Sequence, residues 1–236
     1  MIQQKVALIT GANKGLGLEI ARQLGQQGVT VVLGARRGQA EAAAASLRTQ
    51  SIAAHAVELD VTEAADIAAL PAFLAENFGR LDILVNNAGV QLDEGFDISP
   101  DILRQTYEAN VVGPYAITQA LLPLLRESPA GRIVNHSSIL GSMATIGAGQ
   151  GGSWATPGYT SSKAALNMLT VALAQHLAST AIKVNSAHPG WVKTALGGEG
   201  APLEVTEGAR TAVRLALLPA DGPTGGFFHE AERLPW

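Results

Sequence analysis

The sequence predicts an α/β fold, a single-domain Rossmann-type doubly wound parallel sheet of about seven strands with helices on both faces. Short apolar runs alternate along the chain with longer stretches of helical period. The runs are apolar throughout rather than at every second position, as expected for parallel strands that are covered on both faces. The 236 residues contain no linker, repeat or low-complexity tract, so one domain over residues 1–236 is predicted.

Seven apolar runs predict the strands, and each run except the last is followed by a stretch that predicts a helix. The predicted strands cover residues 6–9, 29–33, 56–59, 83–85, 132–135, 182–185 and 226–228. The first helix is predicted from an apolar stripe at helical spacing, formed by Leu16, Ile20 and Leu24. The later helices cover residues 38–50, 63–78, 99–126, 157–179 and 206–218. Because strand–helix–strand crossovers are right-handed, this alternation favours a doubly wound sheet.

The composition argues against several classes of function. Hydrophobic residues make up 47% of the chain and charged residues 15%, which is typical of a globular protein. The net charge of -4 comes without any basic block, so no nucleic-acid partner is expected. The chain has no cysteine, which excludes disulfides, thiol catalysis and cysteine-ligated zinc. The five histidines show no metal-ligand spacing, so no metal site is predicted.

The N-terminal segment predicts neither export nor insertion into a membrane. Its apolar run at residues 6–9 stops at Gly11, which is too short for the core of a signal peptide. No apolar run approaches the ~18 residues that a membrane-spanning helix needs. We therefore expect a cytoplasmic protein with no membrane partner.

A glycine-rich turn lies between the first predicted strand and the first predicted helix. Residues 10–17 read Thr-Gly-Ala-Asn-Lys-Gly-Leu-Gly. Gly11 would allow a tight turn, while Gly15 and Gly17 would let the backbone approach a phosphate and let the helix pack on the strand. The amides and dipole at the helix N-terminus would then favour a pyrophosphate. The glycine spacing differs from the usual dinucleotide fingerprint, and a plain turn is the alternative.

The end of the second predicted strand indicates which nicotinamide cofactor is used. A site for NAD usually places an acid about 20 residues beyond the glycines. Here Arg36 and Arg37 follow the strand, and the first acid is Glu41. Lys14, Arg36 and Arg37 could therefore converge on the 2′-phosphate of NADP. One charge-assisted hydrogen bond to such a phosphate is worth roughly 1.5–3 kcal/mol. The cofactor prediction is therefore NADPH/NADP, and the alternative is that both arginines are simply solvated.

Polar residues at the ends of the third and fourth predicted strands are further candidates for the cofactor site. Asp60, followed by Val61, could accept a hydrogen bond from an adenine amino group or could serve as a turn residue before the next helix. Residues 86–89 read Asn-Asn-Ala-Gly. The small residues would leave room for a cofactor, and the asparagines could brace neighbouring strand ends. A purely structural turn is the alternative.

The residues with the strongest catalytic potential lie after the fifth strand and on two helices. Tyr159 and Lys163 are four positions apart in a predicted helix and therefore share one face. The ammonium would favour the phenolate and lower the tyrosine pKa from its usual value near 10, so the hydroxyl could give or take a proton. Ser138 follows a strand at the edge where parallel sheets bind ligands. Asn110, amid apolar helix residues, could carry a water toward Lys163 or form a buried hydrogen bond.

In this order, the motifs resemble the short-chain dehydrogenase/reductase family, nearest its NADPH-dependent carbonyl reductase branch. The resemblance covers essentially the whole chain and includes residues 189–194, Pro-Gly-Trp-Val-Lys-Thr. It implies that Ser138, rather than Ser137, holds the substrate carbonyl, because the family serine is the third residue after the strand asparagine. Tyr159 would protonate the carbonyl oxygen, Lys163 would bind the nicotinamide ribose, and Asn110 would hold a water in the proton relay.

The resemblance also implies a set of cofactor-binding residues and a reaction. The set is Gly11, Asn13, Lys14, Gly15, Leu16, Gly17, Arg36, Arg37, Asp60, Val61, Asn87, Ala88, Gly89, Val111, Tyr159, Lys163, Pro189, Gly190, Val192 and Thr194. The implied reaction is reduction of a small-molecule ketone or aldehyde to an alcohol by NADPH. The alternatives are reduction of a carrier-bound 3-oxoacyl chain and a catalytically silent NADP-binding regulatory protein.

Two glycine-rich stretches and one apolar helix complete the predictions. Residues 141–158, with Trp154, and residues 194–205, a candidate lid, are expected to shape the substrate pocket. Trp191 and Met143 are candidates for its apolar wall, with ordinary loop and core positions as the alternative. The helix that begins at Pro157 is apolar nearly all round. We therefore predict a homodimer through this helix and the one that begins at Ser99, with a monomer as the alternative.

Overall fold

The computed structural model describes residues 4–236, without the side chain of residue 153. Residues 1–3 lie outside the described residues, so the expectation about export stays untested there. The described chain forms an eight-stranded sheet in the order β3-β2-β1-β4-β5-β6-β7-β8. The strands are β1 (Val6–Thr10), β2 (Thr30–Ala35), β3 (Ala54–Glu58), β4 (Ile83–Asn86), β5 (Arg132–His136), β6 (Lys183–Ala187), β7 (Phe227–His229) and β8 (Glu232–Arg233).

The α/β fold class is confirmed, and all seven predicted strands are present. The pairs from β3 to β7 are parallel, whereas β7 and β8 are antiparallel. The sequence analysis missed β8, because a strand of two exposed residues carries no apolar pattern. The chain leaves β1 in one direction for β2 and β3 and returns to pair β4 on the other side of β1. The crevice between β1 and β4 is therefore the topological switch point, where such sheets bind ligands.

Helices cover both faces of the sheet. They are α1 (Gly15–Gln26), α2 (Ala40–Arg48), α3 (Ala64–Phe78), α4 (Pro100–Tyr107), α5 (Gly113–Arg126), α6 (Met143–Gly147), α7 (Pro157–His176), α8 (Val205–Gly208) and α9 (Arg210–Ala216). Neighbouring residues of β1 belong to two different apolar clusters, since strand side chains alternate between faces. Ile9 packs with Leu24 of α1, and Leu8 packs with the cluster that contains Leu121 of α5 and Leu177.

The helix predicted over residues 99–126 is divided into α4 and α5 by one turn of π-helix at Glu108–Val112. Ser99 begins α4 with a helix cap, because its hydroxyl accepts a hydrogen bond from the amide of Ile102 at 3.3 Å. At the start of α5, Gly113 lies against the backbone carbonyl of Val61, and a Cβ atom there would collide with that oxygen. A π-turn shifts the register of the side chains, and such turns often lie at functional sites.

Residues 4–236 contain no helix whose length and apolar character would allow it to cross a membrane.

Candidate active site

Two adjoining cavities lie at the carboxyl ends of the central strands. The larger has a volume of about 880 Å³ and the smaller about 340 Å³. Both are lined by Leu16, Asn87, Gly89, Gln91, Thr194 and Leu196, so they form one continuous cleft. The other predicted residues on the larger cavity are Gly11, Asn13, Lys14, Gly15, Gly17, Arg36, Asp60, Val61 and Ala88. Those on the smaller cavity are Ser138, Tyr159, Lys163, Pro189, Gly190 and Val192.

Three of the predicted site residues line neither cavity: Arg37, Asn110 and Val111. Arg37 is 90% exposed and pairs with Glu58 at 3.3 Å. The structure thus brings two cations, Lys14 and Arg36, to the larger cavity rather than three.

The glycine turn has the backbone geometry that its residues predict. Gly11 has a φ of 63°, and a Cβ atom there would lie 3.0 Å from the Cα of Ala88. At Gly17 a Cβ atom would collide with the carbonyl oxygen of Gly11. The turn therefore requires glycine at both positions, since a larger residue would push β1, β4 and α1 apart. Lys14, which precedes α1, makes no side-chain hydrogen bond to the first turn of the helix.

Asp60 is both a turn residue and part of the cavity wall. Its Oδ1 atom accepts hydrogen bonds from the amide and the hydroxyl of Thr62, at 3.0 and 2.7 Å. The hydrogen bond from the Thr62 hydroxyl is the main reason why the pKa of the Asp60 carboxyl lies below its usual value, and the hydrogen bond from the Thr62 amide adds to this effect. Because these bonds use Oδ1 only, the other oxygen stays available to a ligand in the larger cavity.

The asparagines after β4 brace the neighbouring strand ends. Asn86 donates through Nδ2 to Oδ1 of Asn135 at 2.9 Å, which ties β4 to β5. Asn87 donates through Nδ2 to the carbonyl oxygen of Thr10 at 2.9 Å, which ties β4 to β1. These bonds hold the three central strand ends together at the mouth of the cleft.

Three of the four residues with predicted catalytic roles, Ser138, Tyr159 and Lys163, converge on the smaller cavity. Tyr159 lies in the first turn of α7 and is 8% exposed. Its side chain and that of Ser138 line the same cavity and interact. The Lys163 ammonium lies 5.6 Å from the centre of the Tyr159 ring and donates to the carbonyl oxygen of His136 at 2.8 Å. Ser137 instead directs its hydroxyl to the carbonyl oxygen of Lys163, at 3.4 Å.

The pKa of Tyr159 differs in direction from the prediction. Burial raises it to about 12, opposed by the hydrogen bond from Ser138 and supported by the negative charge of Asp93. Burial also lowers the pKa of Lys163 to about 8. The prediction of a lowered tyrosine pKa was wrong for this structure, because removal of the phenolate from water is the largest influence on that pKa.

Asn110 is fully buried in the π-turn and has its side-chain amide committed to protein groups. Its Oδ1 accepts from the amide of Val90 and its Nδ2 donates to the carbonyl of Val90, both at 2.8 Å. Nδ2 also donates to the Ser162 hydroxyl at 3.0 Å. The alternative of a buried hydrogen bond therefore describes this side chain. A Cβ atom on Gly89 would lie 3.1 Å from the Asn110 oxygen and 3.3 Å from the Lys163 nitrogen.

Both glycine-rich stretches contribute residues to the wall of the smaller cavity, and Trp191 lies between them. The rings of Trp154 and Trp191 lie 5.8 Å apart, and both line the cavity. Trp191 also donates through Nε1 to the carbonyl oxygen of Gly197 at 2.8 Å, which anchors the candidate lid. Met143 is 77% exposed and lies outside this cavity, so its predicted place on the pocket wall was wrong.

Sequence reasoning missed two histidines and one acid at the site. His136 and His188 line the smaller cavity, and burial lowers the pKa of each to about 3, so both are neutral. Both ring nitrogens of His136 lack a hydrogen-bond partner among the described residues. The sequence analysis considered histidines only as metal ligands, although the position of His136 beside Ser138 was a usable signal. Asp93, whose side chain is buried, accepts hydrogen bonds from the first turn of α7.

Comparisons with known proteins agree with this geometry. The family model for short chain dehydrogenases matches residues 5–202. Carbonyl reductase (NADPH) 1 from Sus scrofa is 35% identical, over 98% of this chain and 94% of that protein. The (-)-isopiperitenone reductase of Mentha piperita is 33% identical, over 95% of this chain and 96% of its own length.

A solved structure shows the same likeness in three dimensions. The NADPH-bound carbonyl reductase from chicken fatty liver superimposes with a TM-score of 0.86 and 28% identity, and all of both chains is covered. The fold, the order of the motifs and these matches lead to one conclusion. The chain belongs to the short-chain dehydrogenase family.

Proposed function

We propose that this protein is an NADPH-dependent carbonyl reductase that converts a ketone or an aldehyde to an alcohol. Its family makes the chain an NADP-dependent oxidoreductase, and several relatives are named as carbonyl reductases or as other reductases. The observation that carries the proposal is the meeting of Ser138, Tyr159 and Lys163 at one end of a cleft. The glycine turn and Arg36 lie at the other end of the same cleft.

The cleft fits a dinucleotide that carries an extra phosphate. The first turn of α1 exposes amides that no side chain of the preceding residue caps, and such amides favour a pyrophosphate. Arg36 and Lys14 line the cavity beyond the end of β2, and the two acids among its described lining residues, Asp60 and Glu108, lie after β3 and in the π-turn rather than at the end of β2. These cations would hold the 2′-phosphate. When bound, NADPH supplies the hydride that reduces the substrate carbon.

The chain's own groups would orient the substrate and supply the proton. The Ser138 hydroxyl would donate to the carbonyl oxygen, and Tyr159 would give that oxygen its proton. Burial raises the pKa of Tyr159 to about 12, so the phenol keeps its proton at neutral pH until the carbonyl oxygen becomes basic enough to take it. Lys163 would bind the ribose and place positive charge near the phenolate that remains. The apolar walls of Trp154 and Trp191 would keep water from the reacting carbon.

A spectrophotometric panel tests the proposal directly. Consumption of NADPH would be followed with aliphatic, aryl and dicarbonyl substrates, for the natural chain and for Tyr159→Phe. We expect turnover of at least one class and a loss of about 10²- to 10⁴-fold in the variant, because the general acid is removed. Tyr115→Phe is the matched control, since Tyr115 is a half-exposed tyrosine on α5 outside the cleft.

Three outcomes would contradict the proposal. Near-full activity of Tyr159→Phe would remove the tyrosine from the mechanism. Binding of NADPH without turnover of any carbonyl compound would favour a catalytically silent regulatory protein. Turnover only of carrier-bound 3-oxoacyl chains would favour the acyl reductase alternative.

A further inference from the structure

A buried carboxylate that the proposed mechanism does not use lies beside the catalytic tyrosine. Asp93 belongs to the loop between β4 and α4 and is 3% exposed. Carboxylates are rarely buried to this degree unless hydrogen bonds satisfy them. Its neighbours Glu94 and Asp97 in the same loop are exposed, as acids usually are. Of these three acids, only Asp93 is buried, and its carboxylate therefore needs a hydrogen-bond partner within the protein.

The partner is the backbone of the first turn of α7. Oδ2 of Asp93 accepts from the amide of Gly158 at 2.6 Å and from the amide of Tyr159 at 3.0 Å. Oδ1 lies 3.2 Å from the same Tyr159 amide. The first amides of a helix have no partner within the helix, and a negative charge there is favoured by the helix dipole. Asp93 thus supplies from a distant loop the cap that α7 needs.

The residues before α7 do not provide this cap themselves. Thr156 occupies the capping position but makes no side-chain hydrogen bond to the helix. Its hydroxyl is buried and has no partner among the described residues. The contact with Asp93, 65 positions earlier, replaces the local cap that a threonine normally gives.

Gly158 is shaped to admit the carboxylate. A Cβ atom at this position would lie 2.9 Å from Oδ2 of Asp93, closer than real side chains approach. Alanine there would push the carboxylate away from the two amides. The hydrogen bonds of Asp93 to the helix therefore depend on glycine at position 158, directly before the catalytic tyrosine.

We propose that Asp93 is a positioning residue that fixes the first turn of α7, and with it the Tyr159 hydroxyl, against Ser138. The inference rests on the proposed function of Tyr159. The loop that carries Asp93 also contains Gly89 and Gln91, which line both cavities. Asp93 therefore links the loop that lines the cofactor cavity to the helix that carries Tyr159. This link fixes the position of the tyrosine relative to the cavity wall.

The charge of Asp93 also acts on the tyrosine hydroxyl. Among the described residues, the titratable groups that line the cavity with Tyr159 are Lys163, His136 and His188, and Asp93 acts on Tyr159 from behind the cavity wall. The histidines are neutral at ordinary pH, because burial lowers their pKa to about 3. Burial is the main reason why the pKa of Tyr159 is raised, and the negative charge of Asp93 raises it further. Removal of that charge lowers the tyrosine pKa, and alcohol oxidation, which needs the phenolate, then begins at a lower pH.

Three variants separate the geometric role from the charge. In Asp93→Ala both hydrogen bonds are lost, and we expect turnover to fall about 10- to 100-fold, as for a misplaced catalytic group. Asp93→Asn keeps an acceptor oxygen but no charge, so it should restore most of the turnover while its oxidation profile moves to lower pH. Asp97→Ala removes an exposed acid from the same loop and should change neither quantity.

Amide hydrogen exchange gives a readout that does not depend on activity. The amides of Gly158 and Tyr159 should exchange faster in Asp93→Ala than in Asp97→Ala, and Gly158→Ala should reproduce this effect. If no carbonyl compound is turned over by the natural chain, the proposed function fails but the exchange result still decides whether Asp93 holds the helix. Equal exchange, turnover and pH profiles in Asp93→Ala and Asp97→Ala would overturn the inference.

Discussion

Single residues set the protonation states at the site, and burial is the dominant influence. Lys163 is 5% exposed, and burial brings its pKa from 10.5 to about 8. The ammonium is therefore less stable in the folded protein than in water, although the carbonyl of His136 accepts one of its hydrogen bonds. Because burial of this cation lowers the stability of the folded protein, its presence indicates a functional role for Lys163.

This pKa shift predicts how stability depends on pH. Between pH 8 and the usual pKa of Lys163 near 10.5, the unfolded chain binds more protons there than the folded chain. The free energy of unfolding should therefore rise with pH in this window, by at most about 1.4 kcal/mol per pH unit. Tyr159, whose pKa is raised from 10 to about 12, acts in the opposite sense only above pH 10.

Urea unfolding at pH 8 and pH 10 measures this effect. Compared with Lys163→Met, the natural chain should gain stability from the lower to the higher pH. Other lysines titrate in both proteins and cancel in the difference. The same pH dependence in both proteins would show that the Lys163 pKa is not shifted.

Arg36 is the residue that should decide between the two nicotinamide cofactors. It lines the larger cavity, whereas Arg37 pairs with Glu58 outside it. We expect Arg36→Asp to raise the Michaelis constant for NADPH about tenfold or more above any change for NADH, because a charge-assisted hydrogen bond is lost. Arg37→Asp is the matched control and should affect both cofactors little and alike. Equal effects of Arg36→Asp on both cofactors would contradict the prediction.

At the scale of elements, the π-turn between α4 and α5 connects a helix to the loop after β4. Asn110 in this turn pairs with both backbone groups of Val90, and its third bond reaches Ser162 on α7. One side chain thus joins three elements around the cleft. A regular helix would turn this side chain away from the loop, since an inserted residue changes the direction of every side chain that follows.

Asn110→Ala tests this junction. The substitution would leave the partly buried amide and carbonyl of Val90 without their present partners, and an unpaired group that is fully buried costs about 1–3 kcal/mol. We expect the free energy of unfolding in urea to fall by about 2 kcal/mol or more. Asn77→Ala, at an exposed asparagine near the end of α3, should change it by less than about 0.5 kcal/mol. Equal losses in both variants would show that the contacts of Asn110 are unimportant.

At the scale of the whole molecule, one helical face leaves apolar side chains in water. Leu103 of α4, Val112 of the π-turn, Tyr115 of α5 and Met168 of α7 are 38 to 66% exposed. Helix α7 packs against both α4 and the π-turn. Such a face is typical of a surface covered by a second copy.

The homodimer is therefore still a prediction, and light scattering can test it. We expect a dimer mass at micromolar concentration and a monomer mass for Met168→Glu, because two like charges would face each other across a twofold axis. Gln50→Glu, at an exposed residue after α2, is the control and should remain dimeric. A monomer mass for the natural chain would remove the idea.

The sequence by itself determined the class of fold, the seven longer strands and the glycine turn. It also placed Tyr159 and Lys163 together, because four positions along a helix bring two side chains onto one face. These features depend on neighbours within about one helical turn or on an apolar run, and local sequence records both. The same is true of Ser138, which follows its strand directly at the ligand-binding edge of the sheet.

Only the tertiary structure decided the position and protonation of the groups at the site. Asp93 caps a helix from 65 positions away, and Asn110 lies in a π-turn that a helical pattern does not reveal. The raised pKa of Tyr159 follows from burial by residues distant in the chain. Desolvation and long-range hydrogen bonds depend on which segments meet in space, and the local pattern of a sequence contains no record of that meeting.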